Sequence, residues 1–381
     1  MPGPLAHLTI LEVAGIGPVP HCGMMLSDLG ARVIRIDRVE TLGATPDPGE
    51  ILGRGKESIA IDLKRREGAT LLLRLAAQAD ALIEGFRPGV AERLGIGPDR
   101  VLAANPRIVY GRMTGWGQEG PRSGTAGHDI DYLAVSGTLS AIGPADQPIP
   151  PLNLVADFGG GSMFLLTGLL AALLHAARTG QGQVVDVAMV DGVAVLSSML
   201  HGAIAGGWWA PDRASNLLDG GAPFYTTYRC ADGGFVAVGA LEPQFFEALM
   251  HGLGLDPDEW ADRMDRSSWP AMRARLASVF ATRGRDEWDV HFAGNDACVV
   301  PVLSPQEAAH SDHLAARGTL VEHLGLLQPA PAPRFDRTPS RLTSGPPVPG
   351  ADTETILAWA GLDQAEIGRL RESTTIGGGT A

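Results

Sequence analysis

A chain of 381 residues, 45% hydrophobic and 19% charged, has the length of about two or three domains and can bury a core without disulfide staples. Its net charge of -13 argues against nucleic acid as a partner, because that binding rests on neutralising phosphates with Lys and Arg. The three cysteines, Cys22, Cys230 and Cys298, lie too far apart for a disulfide framework or a zinc site, which points to the cytoplasm.

No secretory pattern is visible at Met1-Pro2-Gly3-Pro4. Residues 8–13 form a β-rich run, followed by the turn Ala14-Gly15-Ile16-Gly17-Pro18-Val19-Pro20. A helical pattern through Met24, Met25, Leu26 and Leu29 is closed by Gly30, and residues 31–38 are a second strand, so the chain opens with a βαβ unit. Gly15 and Gly17 after a strand, with Asp37 near the place of a ribose-binding acid, invite a dinucleotide reading. Pro20 stands where the third glycine belongs, and Pro18 and Pro20 remove N–H donors that a pyrophosphate needs, so the unit is read as scaffold.

Strands are predicted at 58–62, 81–84 and 108–113, around a helix at 67–77. This alternation predicts an α/β fold with a Rossmann-like parallel sheet covered on both faces. Arg38, Lys64, Arg87 and Arg93 recur at or soon after strand ends. In an open parallel sheet the carboxyl ends of the strands line one crevice, where cations gathered together suit a phosphate-rich ligand.

Two later stretches share one grammar: Gly127-His128-Asp129-Ile130-Asp131-Tyr132 and Val155-Ala156-Asp157-Phe158-Gly159-Gly160-Gly161-Ser162-Met163. Each sets small residues beside a side chain that can move a proton, then enters an apolar helix. His128 and Asp157 are therefore candidates to remove and return a proton on a small substrate. Asp129 and Asp131 suit the first turn of a helix, and Asp157 also has the residue type of an N-cap. Three glycines disfavour simple helix initiation, so they are expected to let a ligand approach, with free N–H groups stabilising an oxyanion.

The apolar run from Met163 to Leu174 is too short to span a membrane and reads as a core helix. A strand at 183–187 precedes a helical segment at 191–205 and a crossing loop through Trp208 and Trp209 to Gly221. Strands at 224–228 and 235–238 flank the hairpin turn Ala231-Asp232-Gly233-Gly234, Glu242-Pro243 opens a helix, and residues 298–302 form a strand. This is a second, smaller α+β domain. Residues 329–349 are proline-rich and extended, a helix at 352–370 returns to the first domain, and Gly377-Gly378-Gly379 reads as a disordered tail.

The segments Leu11-Glu12-Val13-Ala14-Gly15-Ile16-Gly17-Pro18, Gly127-His128-Asp129-Ile130, Asp157-Phe158-Gly159-Gly160-Gly161 and Gly239-Ala240-Leu241-Glu242-Pro243-Gln244-Phe245 resemble those of the α-methylacyl-CoA racemases of the class III CoA-transferase superfamily. The resemblance runs from Leu8 to about Phe335. It implies an isomerase of fatty-acid and lipid metabolism that interconverts 2R and 2S forms of 2-methylacyl-CoA thioesters without a metal or redox cofactor, coenzyme A being part of the substrate. His128 and Asp157 would be its acid/base pair and Glu242 would pair with the histidine, although on residue type alone Glu242 reads equally as a helix cap. Coenzyme A contacts would fall on Arg38, Ile61, Asp62, Leu63, Lys64, Gly85, Phe86, Arg87, Arg93, Gly127, Asp129, Ile130, Asp131 and Tyr132.

The resemblance also implies an interlocked homodimer with its active site between subunits. The large domain would take 1–190 with 330–381 returning to it, the first linker 191–221, the small domain 222–315 and the second linker 316–330. The competing activity on the same fold is a CoA transferase, in which Asp157 attacks the thioester. An acyl-CoA-binding protein without activity is a third reading, against which the set His128, Asp157 and Glu242 argues.

Overall fold

The computed structural model describes residues 3–47 and 49–377. It divides into two compact units, one of Met1–Ser136, Leu152–Leu196 and Ala315–Ala381, the other of Gly137–Pro151 and Ser197–Leu314. In the larger unit the chain runs β1 (Thr9–Val13), α1 (Pro18–Asp28), β2 (Arg32–Asp37), β3 (Glu57–Ile61), α2 (Arg66–Ala76), β4 (Ala81–Glu84), α3 (Val90–Arg93), α4 (Pro98–Ala104), β5 (Val109–Thr114) and α5 (Asp129–Val135). A π-helix, Leu154–Ser162, then leads without a break into α6 (Met163–Thr179), followed by β6 (Val184–Ala188) and α7 (Met189–Leu196).

The six strands are parallel in the order β3-β2-β1-β4-β5-β6. Alternate residues along each strand face opposite sides, as strand geometry requires. Leu11, Val13, Ile34, Ile36, Ile59, Ile61 and Leu82 form one buried cluster with Leu71, Leu72 and Leu75 of α2 and Val101 of α4. On the other side, Glu12 faces Gly23 of α1, and Gly111 faces Leu165 and Leu169 of α6. Each fully buried aliphatic contributes about 1.5–3 kcal/mol, which is why apolar residues dominate these strands.

Glu12 is one of several buried polar residues on these strands and carries a fully buried ion pair. Lys56 Nζ lies 2.8 Å from both carboxylate oxygens and donates to the Pro20 carbonyl at 3.0 Å. A side chain at Gly23 would overlap the Glu12 carboxylate, so this glycine makes room for the pair. Pro20, which argued against a dinucleotide loop, thus serves through its carbonyl.

The helical stretch Leu154–Thr179 has 26 residues, enough by length and composition to cross a bilayer and longer than the sequence pattern implied. In this fold Leu165, Leu166, Leu169, Ala172 and Ala176 are buried, and the helix packs on β5 and β6 as a core helix does. The C-terminal segment also departs from expectation. It forms two helices, Thr353–Trp359 and Gln364–Glu372, separated at Gly361, whose φ of 73° only glycine adopts without strain. Gly377, expected to be disordered, belongs to a short strand, Ile376–Gly377, antiparallel to β3; Gly378 and Gly379 lie outside the described residues.

The smaller unit contains α8 (Ser198–Ala205), β7 (Tyr225–Arg229), β8 (Phe235–Gly239), α9 (Pro243–Leu253), α10 (Trp269–Phe280), α11 (Arg285–Phe292) and β9 (Val299–Pro301). The strands form an antiparallel sheet in the order β7-β8-β9, joined by the expected hairpin at Ala231–Gly234. Its core is aromatic, with Phe224, Phe246, Trp269, Phe280 and Trp288 buried together.

Candidate active site

In the strand order of the larger unit the direction of chain progress reverses between β1 and β4. That is the topological switch point of an open α/β sheet, where loops part and leave a crevice. A cavity of about 500 Å³ opens there. It is lined by Gly17 and Pro18 at the start of α1, Gly85, Phe86 and Arg87 after β4, Trp116 and Gly127 in the loop after β5, and by His128, Tyr132 and Asp157.

His128 is the N-cap of α5, with extended backbone, and its N–H donates to Asp131 Oδ2 at 2.9 Å. Asp131 is thereby the capping acid that its position suggested. Tyr132 donates its hydroxyl to the Gly127 carbonyl at 2.5 Å and stands edge-on to Trp116, with ring centroids 4.8 Å apart. Burial, followed by the charge of Asp157, pushes the Tyr132 phenol up to about 12, so it remains a donor that fixes the loop before His128.

Asp157 is not an N-cap. It lies inside the π-helix, half-buried, and its backbone N–H donates to Asp129 Oδ2 at 2.8 Å, as does that of Ala156. Burial raises the Asp157 pKa first and the neighbouring Asp129 charge second, while a hydrogen bond with Asn153 and the proximity of His128 oppose them. These two N–H groups are therefore occupied, contrary to the expected oxyanion role. Asp129, expected at the ligand, is buried and committed to them.

The glycine run also has a different task from the one expected. A side chain at Gly160 would stand 2.9 Å from Val193 N and 3.0 Å from the Met189 carbonyl of α7, and one at Gly161 would crowd Met189 and Pro18. These glycines let α7 and α1 close on the π-helix. At its end Ser162 Oγ lies 2.7 Å from His21 Nδ1, and His21 stacks on Phe158 at 4.4 Å. Burial, then Arg54 and Lys56, lowers the His21 pKa.

The other expected ligand contacts are distributed unevenly. Arg38, Arg87 and Arg93 are exposed, but only Arg87 of the three lines the cavity. Lys64 is exposed and pairs with Glu40 at 3.5 Å, while Asp62 Oδ1 accepts the Lys64 N–H at 3.0 Å. Ile130 is exposed beside His128 without lining the cavity, and Leu63 packs on the core. The Ile61 side chain is buried in the sheet. Glu242 belongs to the smaller unit, where it is the N-cap of α9 without a capping bond from its side chain. Arg263 donates to the Leu241 carbonyl beside it at 2.8 Å and lies over the rings of Phe224 and Phe246.

Sequence reasoning missed Glu84. It is buried at the end of β4, directly before the cavity loop, and accepts the Phe86 N–H at 2.6 Å. Burial pushes its pKa up to about 7, against the Phe86 hydrogen bond and Arg112, whose Nε is 3.8 Å away. A carboxylate closing an otherwise apolar strand is the signal that was available. Among the described residues no group of three or more His, Cys, Asp or Glu is placed to hold a metal ion.

Comparison with known proteins places the chain in a family. A model of CoA-transferase family III matches residues 5–353. The α-methylacyl-CoA racemases of Mus musculus and Homo sapiens are each 46% identical over 375 residues, which is 98% of this chain and 97% of theirs. The crystal structure of a CAIB/BAIF family protein from Brucella suis superposes with a TM-score of 0.80 at 26% identity, over 94% of this chain and 100% of that one. The chain therefore belongs to CoA-transferase family III.

Proposed function

We propose that this chain is a racemase that interconverts (2R)- and (2S)-2-methylacyl-CoA thioesters by 1,1-proton transfer at C2. One observation carries the reading: His128 and Asp157, borne on different elements, line the same cavity at the switch point. The C2 proton of a thioester is weakly acidic, so its removal needs a positioned base, and inversion needs an acid on the opposite face. One residue of the pair takes the proton and leaves an enolate; the other returns a proton to the other face of C2. Asp157, whose proton affinity is raised by burial, suits a group that must hold a proton in one direction and accept it in the other. The Asp131 N–H is taken by the His128 carbonyl at 2.9 Å, so the N–H groups of Asp129 and Ile130, ahead of it in the first turn of α5, are the donors proposed for the enolate oxygen.

Coenzyme A enters as part of the substrate, with Arg87 proposed for its phosphates and Gly85 to Arg87 and Gly127 to Tyr132 along its path. Arg38, Lys64 and Arg93 remain candidate phosphate contacts through their exposed charges. Glu242 is proposed as the partner of the His128 imidazole, within an interlocked homodimer whose sites each take the larger unit of one chain and the smaller unit of the other.

The competing reading, a CoA transferase with Asp157 as nucleophile, leaves His128 without a task. The deciding measurement is deuterium incorporation at C2 of a 2-methylacyl-CoA in buffered D2O without an acceptor acid. Incorporation with loss of optical purity is expected. No exchange, together with a new thioester once a carboxylic acid is supplied, would establish the transferase instead.

A further inference from the structure

We propose that Asp129 is the positioning residue that couples the acid/base pair, fixing the Asp157 backbone to the backbone of His128 through a single buried carboxylate. The proposal rests on the racemase reading above and deepens it. Asp129 follows His128 directly, so one peptide bond joins them. Its Oδ2 accepts from both Ala156 and Asp157 at 2.8 Å, across the gap between α5 and the π-helix. From one proton carrier to the other the route is a peptide bond, a short side chain and a hydrogen bond. No longer lever connects them, so a small displacement of α5 moves both groups together.

The choice of residue type carries the second half of the argument. Asparagine could accept the same two hydrogen bonds through its amide oxygen. Aspartate adds a charge that is only 7% exposed, and its Oδ1 is buried without a hydrogen-bond partner. A buried carboxylate satisfied on one oxygen alone costs folding stability, so the clamp by itself does not explain it. What the charge does is raise the proton affinity of Asp157, the direction a returning acid requires.

Two charges act on Asp157, Asp129 and His128. Of the other titratable groups on the elements packed around it, α5 brings Asp131 and Tyr132. From α1 comes His21, engaged with Ser162, and from α7 Asp191, which acts on Asp186.

The test uses the full-length protein, a 2-methylacyl-CoA and C2 deuterium exchange, with wild type measured first. Wild type without exchange would remove the racemase reading itself, a failure distinct from that of the clamp. Given exchange in wild type, Asp129→Ala is expected to lower kcat about a hundredfold with a much smaller change in KM, since its buried carboxylate is committed to the Ala156 and Asp157 N–H groups and its loss displaces the reacting groups. Asp129→Asn keeps the acceptor. It should lose less in kcat but move the pH-profile limb belonging to Asp157 to lower pH by about one unit, as removal of a neighbouring like charge does. Wild-type kcat in Asp129→Ala below its melting temperature overturns the clamp. A pH profile of Asp129→Asn superimposable on wild type overturns the role of the charge, and because that variant keeps the buried hydrogen bonds it serves even where the alanine variant fails to fold.

Discussion

At the scale of single residues, the chemistry of this site is set by which carboxylates are buried and what they face. Asp157 and Glu84 both have raised proton affinity, but they differ in consequence. Asp157 opens on the cavity, so its protonation enters the reaction. Glu84 turns away from solvent, and its protonation enters stability. Its folded pKa of about 7 lies above the 4.5 of a free glutamate, so the native state binds this proton more tightly than the unfolded chain. The sign follows: the stabilisation is complete below pH 4.5 and is lost as pH rises through 7. A shift of this size corresponds to about 3 kcal/mol between the two limits. Glu84→Gln keeps an acceptor for the Phe86 N–H and cannot ionise. Urea unfolding across this range should therefore show the variant gaining on wild type as pH rises, and parallel curves would show that Arg112 compensates the charge fully.

At the scale of elements, the strands and the π-helix teach opposite lessons about what a sequence discloses. β1 to β6 were legible because short β-rich runs of buried aliphatics alternate with helical patterns, and because the glycines and polar residues between them mark turns. His128 and Asp157 were legible by chemistry. The π-helix around Asp157 was not, since glycine disfavours helix locally and the run Gly159-Gly160-Gly161 reads as a loop. Tertiary packing overrides that preference: the Gly160 carbonyl meets Gly192 of α7 so closely that any side chain at Gly192 would overlap it. The Glu12–Lys56 pair, the Asp129 clamp and the two-residue strand at Ile376 were hidden for a related reason, because their partners are distant in sequence and no local pattern encodes them. Gly192→Ala tests the element argument. Overpacking against backbone, which cannot rotate away, is expected to cost about 1–3 kcal/mol. The displaced Asp157 should also lower kcat in C2 exchange more than KM changes. A variant with wild-type melting temperature and kcat would show that α7 and the π-helix can part without effect.

At the scale of the whole molecule, the exposed apolar surface has to be accounted for. In the larger unit Val135, Leu152, Leu154 and Leu196 are exposed. Scattered exposed leucines are ordinary, but a run on successive helices is the signature of a partner surface. The homodimer proposed for this racemase supplies that partner, and it makes a prediction that a monomer or a dimer with self-contained sites does not. Let one chain carry His128→Ala and the other Glu242→Ala, each inactive alone. If every site takes the larger unit of one chain and the smaller unit of the other, a mixed dimer has one site with both substitutions and one with neither. Random pairing makes about half of the dimers mixed, each with one intact site of two, so activity should recover to about a quarter of wild type. Sites built within one chain contain a substitution in every case and recover nothing. Co-expression with two affinity tags, followed by C2 exchange on the doubly tagged species, separates the outcomes: about half of the wild-type rate per dimer for the shared site, background for the self-contained one.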